Sequence, residues 1–254
     1  MKKHVPALTI ATGIASLMLL LVPQRVYSDH NLFLKVIAAN RNIHTIDCDI
    51  SQFIFHNDTV EKFSGRYRVN DKGFFRIDYE HPSRQIVLKN DHGLSWYFPE
   101  DNLLYIIQEK AEYPVQPGIN PLKGIIDKHD PRFTMRYTGT YMYGFFTASN
   151  HFASKDSARG LIFTIISDAE KHTIFEKSIS DESGKEIIRE IYSNYSKNGT
   201  HYFPGRVDVL ARTARGITRN TTFYRNVQLN REHGENIFFL QIPRNTMKKF
   251  IDME

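Results

Sequence analysis

The strongest constraint on the fold is a period of two in the hydrophobic pattern of residues 61–98. Apolar side chains alternate with polar ones over 61–69 and again over 75–80. The apolar side chains that share one face, together with the tryptophan of the next segment, are Phe63, Tyr67, Val69, Phe75, Ile77, Tyr79 and Trp96. Such alternation is typical of half-buried strands with one solvated face. The sequence therefore predicts a sheet with an aromatic face, which either packs as an ordinary core or lines a cavity.

Turn-forming residues separate these strands at short intervals. The segments are HND near His56, NDKG at 70–73, HPS at 81–83, NDHG at 90–93 and PED at 99–101. Asn, Asp, Gly and Pro favour turns because they adopt or pre-set the required backbone angles. Their regular spacing predicts an antiparallel meander, in which consecutive strands are neighbours.

Strands are also predicted in the second half of the chain. The expected ranges are 133–138, 141–149, 161–167, 173–180, 187–195, 202–211, 216–227 and 237–242, and the ending RNTMKKFIDME is expected to form a helical turn. The total is about a dozen strands. A sheet of this size must coil into a barrel or a strongly curved open sheet.

Two helices are predicted beside the strands. Residues 29–43 place Leu32, Phe33, Val36 and Ile37 on one stripe, as in an amphipathic helix. A short helix is expected over 120–129, with Asn as its cap and Pro at its first position. Its apolar face carries Leu122, Ile125 and Ile126. We expect both helices to cover the concave side of the sheet.

Residues 1–28 have the pattern of a secretory signal peptide. A basic start, MKKH, precedes an uncharged run from Ala7 to Val22, and Pro23 ends that run. The run is shorter than the roughly 18–20 apolar residues that a membrane-spanning helix needs. A cleaved signal is therefore favoured over a membrane anchor. We expect one mature domain over 29–254, since no linker or composition shift divides it.

Export would remove most of the net charge. The full sequence has 33 Lys and Arg against 28 Asp and Glu, a formal charge of +5. Loss of Lys2, Lys3 and Arg25 leaves 30 basic residues against the same 28 acidic ones. A chain so nearly neutral gives little support to a nucleic-acid partner.

Motifs of known catalytic centres are missing from the sequence. It contains no G-x-S-x-G, H-E-x-x-H, C-x-x-C, P-loop or G-x-G-x-x-G pattern. The 11 histidines are scattered and several lie in turns. Cys48, the single cysteine, is expected to be a buried apolar residue rather than a reactive thiol. We predict no catalytic residue, no metal site and no cofactor.

Clusters of charged residues are interpreted as solvated surface. Asp47 with Asp49, and Asp78 with Glu80, lie two apart on strands and are expected to face water. A basic hairpin contains Arg206, Arg212, Arg215 and Arg219. Contact with an acidic partner or anionic lipid headgroups is the alternative for this hairpin.

The order of these segments resembles the LolA-like family of periplasmic lipoprotein carriers. The resemblance rests on GRYRV at 65–69, FFRIDY with Pro82, QIV at 85–87, and DHG followed by Trp96 and Tyr97. NPLKGII lies where the family has a lid helix, and IFFLQIPRNTMKKF resembles its terminal strand. The family's latch arginine precedes the aromatic strand, where this chain has the turn NDKG with an acid in its place.

The resemblance implies an incomplete antiparallel β-barrel of about 11–12 strands whose mouth is covered by helices. It also implies an apolar cavity that holds acyl chains of lipoproteins or other lipids, lined by the aromatic face and by Leu122, Ile125 and Ile126. The implied protein is a periplasmic monomer. Its implied partners are an inner-membrane releasing complex and an outer-membrane acceptor.

Two other functions stay open from the sequence. A ligand-sensing or regulatory module of the RseB type shares this kind of domain, although that family normally has a second one. An enzyme on a barrel scaffold is the third possibility, and it lacks any catalytic constellation. Exposure of an acyl chain to water costs about 0.8 kcal/mol per methylene, so a carrier needs a sheltered apolar site. The aromatic face favours the carrier.

Overall fold

The computed structural model describes residues 29–56, 59–108, 135–213 and 216–252. This part of the chain contains one α-helix, fourteen strands and one short 3₁₀ helix. The elements are α1 (Asp29–Arg41), β1 (Ile46–His56), β2 (Thr59–Val69), β3 (Phe75–His81), β4 (Gln85–Asn90), β5 (Gly93–Phe98), β6 (Leu103–Gln108), β7 (Arg136–Tyr143), β8 (Thr147–Asp156), β9 (Leu161–Asp168), β10 (Ile174–Asp181), β11 (Glu186–Asn198), β12 (His201–Thr213), β13 (Gly216–Leu229), the 3₁₀ helix (Glu235–Phe238) and β14 (Met247–Asp252).

All fourteen strands form one sheet in the order β14-β6-β5-β4-β3-β2-β1-β13-β12-β11-β10-β9-β8-β7. Strands β1 to β6 make one meander and β7 to β13 make a second. Antiparallel pairing of β1 with β13, from Ile46 opposite Leu229 to His56 opposite Thr218, joins the two. Strands β14 and β7 form the two ends, so the sheet is not closed. The predicted half-open, mainly β architecture is confirmed, with more strands than the 11–12 expected.

One face of this sheet, which we call the inner face, carries the main hydrophobic core. The core joins Ile46 and Cys48 of β1 and Tyr67 of β2 with Phe152 of β8 and Ile165 of β9. These strands are far apart in the sheet order, so the sheet must curl to bring them into one cluster. The alternating residues of the half-buried strands thus meet around a common interior.

Helix α1 lies on the inner face, as predicted. Leu32, Phe33 and Val36 are buried in the core cluster, and the ring centroid of Phe33 lies 5.2 Å from that of Phe152. The helix ends at Arg41, slightly before the expected Ile43. Within the described residues, no helix has the length and apolarity needed to cross a bilayer. The second predicted helix, with Leu122, Ile125 and Ile126, falls outside the described residues, as does the predicted signal peptide.

The outer face carries a row of ion pairs across β3, β2 and β1. Arg76 and Arg68 both lie 2.7 Å from carboxylate oxygens of Asp78, and Arg66 lies 2.6 Å from Asp47. Asp47 is buried. The prediction that these carboxylates face water was therefore wrong for Asp47, while Glu80 is exposed as expected. The pairing of β1 with β2 brings Arg66 and Arg68 onto the same face as Asp47.

The segment after β13 packs on the outer face. Arg76 Nη1 donates to Ile237 O at 3.0 Å, and Asn90 Nδ2 donates to Phe238 O at 2.9 Å. Phe238 is almost fully buried in a 3₁₀ helix that lies against β3 and β4. A strand was expected over 237–242. The segment forms a 3₁₀ turn instead, because Phe238 packs against β3 and β4.

The ending predicted as a helical turn is strand β14, which pairs in parallel with β6 from Met247 opposite Leu103 to Asp252 opposite Gln108. This is the one parallel pair in the described sheet, where an entirely antiparallel arrangement was expected. Thr246 anchors its start, because its hydroxyl donates to Asn102 Oδ1 at 2.7 Å. Helix-forming Met and Lys residues occupy a strand here because an unpaired sheet edge supplies hydrogen-bond partners.

Strands β7 and β8 also differ from their predicted bounds of 133–138 and 141–149. Gly139 falls in the gap between the two predicted strands. It lies instead inside β7, where the register shifts between Tyr137 and Gly139. The reversal of the chain comes later, at residues 144–146. Gly139 thus lies at a bulge in β7 rather than in a turn.

Candidate ligand-binding face

The structure brings the predicted acyl-chain residues of β2 and β3 together on the inner face. Those buried in the main core are Tyr67, Phe75, Ile77 and Tyr79, and those packed partly buried against it are Phe63 and Val69. Trp96 of β5 is half-buried and lies on the same face, because Ile77 is opposite Val87 and Val87 is opposite Trp96. That these side chains border a cavity stays a prediction.

Polar groups within this face are paired with one another. Tyr79 OH donates to Gln52 Oε1 at 2.7 Å, and Trp96 Nε1 donates to Gln85 Oε1 at 3.1 Å. Burial raises the pKa of Tyr79 to about 12, so its phenol stays protonated. Since the Tyr79 and Trp96 ring donors are both hydrogen-bonded inside the protein, neither ring requires a polar partner outside it.

The aromatic surface continues beyond the predicted residues onto β6. The centroid of Phe98 lies 5.1 Å from that of Trp96 and 5.8 Å from that of Tyr105. We call Trp96, Phe98 and Tyr105 the β5–β6 aromatic patch; all three are half-buried. The acyl-chain residues predicted from the sequence included Trp96 but not Phe98 or Tyr105. Alternation in the run GLSWYFPEDNLLYII could have revealed the other two.

An ion pair lies on the inner face further along the sheet. Lys177 Nζ is 2.7 Å from Glu190 Oε2, and both side chains are about nine-tenths buried. Tyr192, a core residue, donates its hydroxyl to the same carboxylate, and Lys177 Nζ lies 5.6 Å from the Tyr192 ring centroid. Burial and the neighbouring Glu190 raise the pKa of Tyr192 well above its usual value. This group was not predicted from the sequence, because charged residues on an alternating strand predict a solvated face.

A serine and a histidine on β8 also lie close together. Ser149 Oγ is 3.0 Å from His151 Nε2 and donates to Tyr141 O at 3.1 Å. The serine has no solvent exposure. The hydrogen bond from Ser149 to Tyr141 O joins β8 to β7, and the histidine tautomer decides which side chain donates in the Ser149–His151 contact.

Two further observations concern sites outside the aromatic face. A pocket of about 530 Å³ is lined mainly by polar residues of the strands at one end of the sheet: Arg136, Thr138, Ala153, Ser154, Lys155, Ser157 and Ile162. It contains none of the predicted acyl-chain residues. Among the residues that the structure describes, no group of three or more His, Cys, Asp or Glu side chains is placed to hold a metal ion.

No protein-family model and no curated protein sequence matches the chain. Solved structures do match it. A LolA superfamily protein from Nitrosomonas europaea superposes with a TM-score of 0.59 at 9% identity, over 84% of this chain and 98% of its own. The chain has a LolA-like fold. At this identity the likeness establishes the architecture alone.

Two further solved structures are similar to this LolA-like fold. A DUF1329 family protein from Desulfovibrio piger ATCC 29098 has a TM-score of 0.63 at 8% identity, over 83% of this chain and 96% of that one. A domain assigned to outer membrane lipoprotein sorting, from Vibrio parahaemolyticus, has a TM-score of 0.60 at 8% identity, over 83% and 95%. The fold implied by the sequence resemblance is thereby confirmed.

Proposed function

We propose that the protein is a periplasmic carrier that shelters the acyl chains of lipoproteins or other lipids on its inner face. The LolA-like fold and the export pattern of residues 1–28 support this function. The proposed activity is binding and delivery, with no catalytic step. An inner-membrane donor and an outer-membrane acceptor are the partners that such a carrier requires.

The observation that carries the proposal is the β5–β6 aromatic patch beside the main core. Trp96, Phe98 and Tyr105 are only half-buried although they share a face with fully buried aromatic residues. Covering a large apolar side chain with an acyl chain is favourable by about 1.5–3 kcal/mol when burial is complete. A half-buried aromatic row next to a core is therefore suited to an apolar ligand.

Lipid analysis of the purified protein tests the proposal. We expect acyl-bearing molecules to be recovered by mass spectrometry from protein isolated from the envelope fraction of expressing cells. Trp96 is the single tryptophan, so its emission reports on the patch directly. A lysophospholipid with a brominated acyl chain is expected to quench that emission.

Matched substitutions on one strand locate the binding surface. Tyr105→Ser changes a side chain of the patch, and Ile106→Ser changes a half-buried neighbour on the opposite face. The first is expected to weaken lysophospholipid binding about tenfold, and the second to leave it nearly unchanged. Absence of bound lipid together with unquenched Trp96 emission would reject the carrier. Isolation of a stable protein complex without lipid would favour the ligand-sensing alternative.

A further inference from the structure

The turn between β7 and β8 exposes two adjacent phenylalanines. Phe145 and Phe146 are 90% and 95% exposed, and their ring centroids lie 6.3 Å apart. Tyr141 and Met142 on the same hairpin are each more than half exposed. Large apolar side chains gathered at one exposed place mark a contact with a partner or a membrane.

The stem of this hairpin is held in place. Strands β7 and β8 pair from Arg136 opposite Ala153 to Tyr143 opposite Thr147. The ring of Tyr143 stacks on that of Phe175 in β10, with centroids 4.8 Å apart. Gly144 supplies the left-handed backbone of the turn, at φ +64°. The two rings therefore project from a supported hairpin rather than from a loose loop.

The hairpin tip lies at the same end of the sheet as the end of α1. In the turn between β9 and β10, Ala169 N donates to Ala148 O at 3.0 Å. Asn40, near the end of α1, donates to His172 O of the same turn at 3.3 Å. Glu170 and Lys171 of that turn are exposed and carry opposite charges. The apolar tip thus lies at the same end of the sheet as the end of α1. The β9–β10 turn between them adds no net charge.

We infer that the Phe145–Phe146 turn inserts into the interfacial layer of a lipid bilayer. A stable protein interface buries about 1,200–2,000 Å² with a complementary partner surface, which a convex tip of two rings does not provide. A bilayer needs no complementary shape, and apolar side chains of peripheral elements enter it to a depth of about 5–10 Å. This inference does not depend on which cargo the inner face binds.

A dye at the tip tests insertion directly. The Phe146→Cys variant can be labelled selectively with a polarity-sensitive thiol dye, because Cys48 is fully buried and burial raises its pKa to about 12. With phosphatidylcholine vesicles we expect a blue shift of the dye and quenching by lipids brominated in the acyl chain. The matched control is Phe250→Cys, which carries the same dye at a 67% exposed phenylalanine on β14. Its emission is expected to stay unchanged.

Substitution of the rings tests whether they drive binding. Phe145→Ser combined with Phe146→Ser is expected to lower the vesicle-bound fraction of the mature protein at least tenfold, whereas Phe250→Ser has little effect. Equal dye responses at the two labelled positions, or vesicle binding unaltered by the double substitution, would overturn the inference. So would a concentration-dependent dimer, measured by light scattering, that the double substitution abolishes, because the tip would then contact a second copy.

Discussion

The α-carbon of Gly65 in β2 lies directly against the backbone carbonyl of Asp78 in β3. A Cβ added to Gly65 would stand 2.1 Å from Asp78 O and 2.7 Å from the α-carbon of Tyr79. The pairing of the two strands shifts register at the same place, between Ser64 and Gly65. Only a residue without a side chain permits this approach, which positions Tyr79 in the core.

Gly65→Ala is therefore expected to lower the free energy of unfolding by about 3 kcal/mol, at the upper end of what overpacking costs. Chemical denaturation measures the change. Gly199→Asn serves as the control, because Gly199 has φ +61° and open space around it, and asparagine tolerates that conformation. The control should lose less than about 1 kcal/mol. Similar losses in both variants would contradict the steric explanation.

The buried Lys177–Glu190 pair predicts a non-additive pair of substitutions. Lys177→Met leaves Glu190 charged and buried without its partner, which typically costs about 3–5 kcal/mol. Adding Glu190→Gln removes the charge and keeps an acceptor for the Tyr192 hydroxyl, so most of the stability should return. Lys155→Met, which breaks an exposed pair with Glu182, should change stability by less than about 1 kcal/mol. Additive effects in a double-mutant cycle would show that the buried charges are independent.

Asp208 predicts a specific acid sensitivity. Burial acts to raise its pKa, but hydrogen bonds from Arg206, Thr221 and Arg219 outweigh burial and lower that pKa below the usual 3.8. A carboxylate whose pKa is lowered by folding stabilises the protein above its unfolded pKa, and loses that contribution as pH falls through the folded value. Asp208→Asn should therefore be less stable than wild type at pH 6, with a difference that shrinks below about pH 4.

Thermal or chemical unfolding between pH 6 and pH 2 measures this effect. Asp101→Asn, at an exposed position on the β5–β6 turn, is the control and should follow the wild-type curve. A constant difference between Asp208→Asn and wild type over the whole range would mean that the carboxylate does not titrate as inferred.

Export predicts the start of the mature protein. From the signal pattern we expect N-terminal sequencing of protein from the envelope fraction to begin near Asp29. An intact Met1 in a membrane pellet would instead identify residues 1–28 as an anchor.

Strands with one wet face were the most predictable part of the fold. β2 and β3 could be recognised because buried residues such as Tyr67 and Phe75 alternate along the sequence with outward-facing ones such as Arg66 and Arg76. The alternation of residues therefore identified which side chains of β2 and β3 lie on the inner face. It could not tell core from cavity lining, because both need apolar side chains with the same period.

Elements fixed by distant partners were not predictable in this way. β14 depends on the free edge of β6, more than a hundred residues earlier, and its own sequence favours a helix. The 3₁₀ helix depends on the site that buries Phe238. The Lys177–Glu190 pair likewise needs the register of β10 with β11, which local pattern does not reveal.

Pairing of β1 with β13 has a consequence for the order in which the chain can be built. Strand β1 is synthesised long before its second neighbour in the sheet, residues 216–229. Until those residues emerge, β1 presents an open edge that includes Phe53 and Phe55. Non-local strand pairs of this kind form slowly and leave edges prone to aggregation. A holding chaperone would therefore matter most in the interval between the synthesis of β1 and that of residues 216–229.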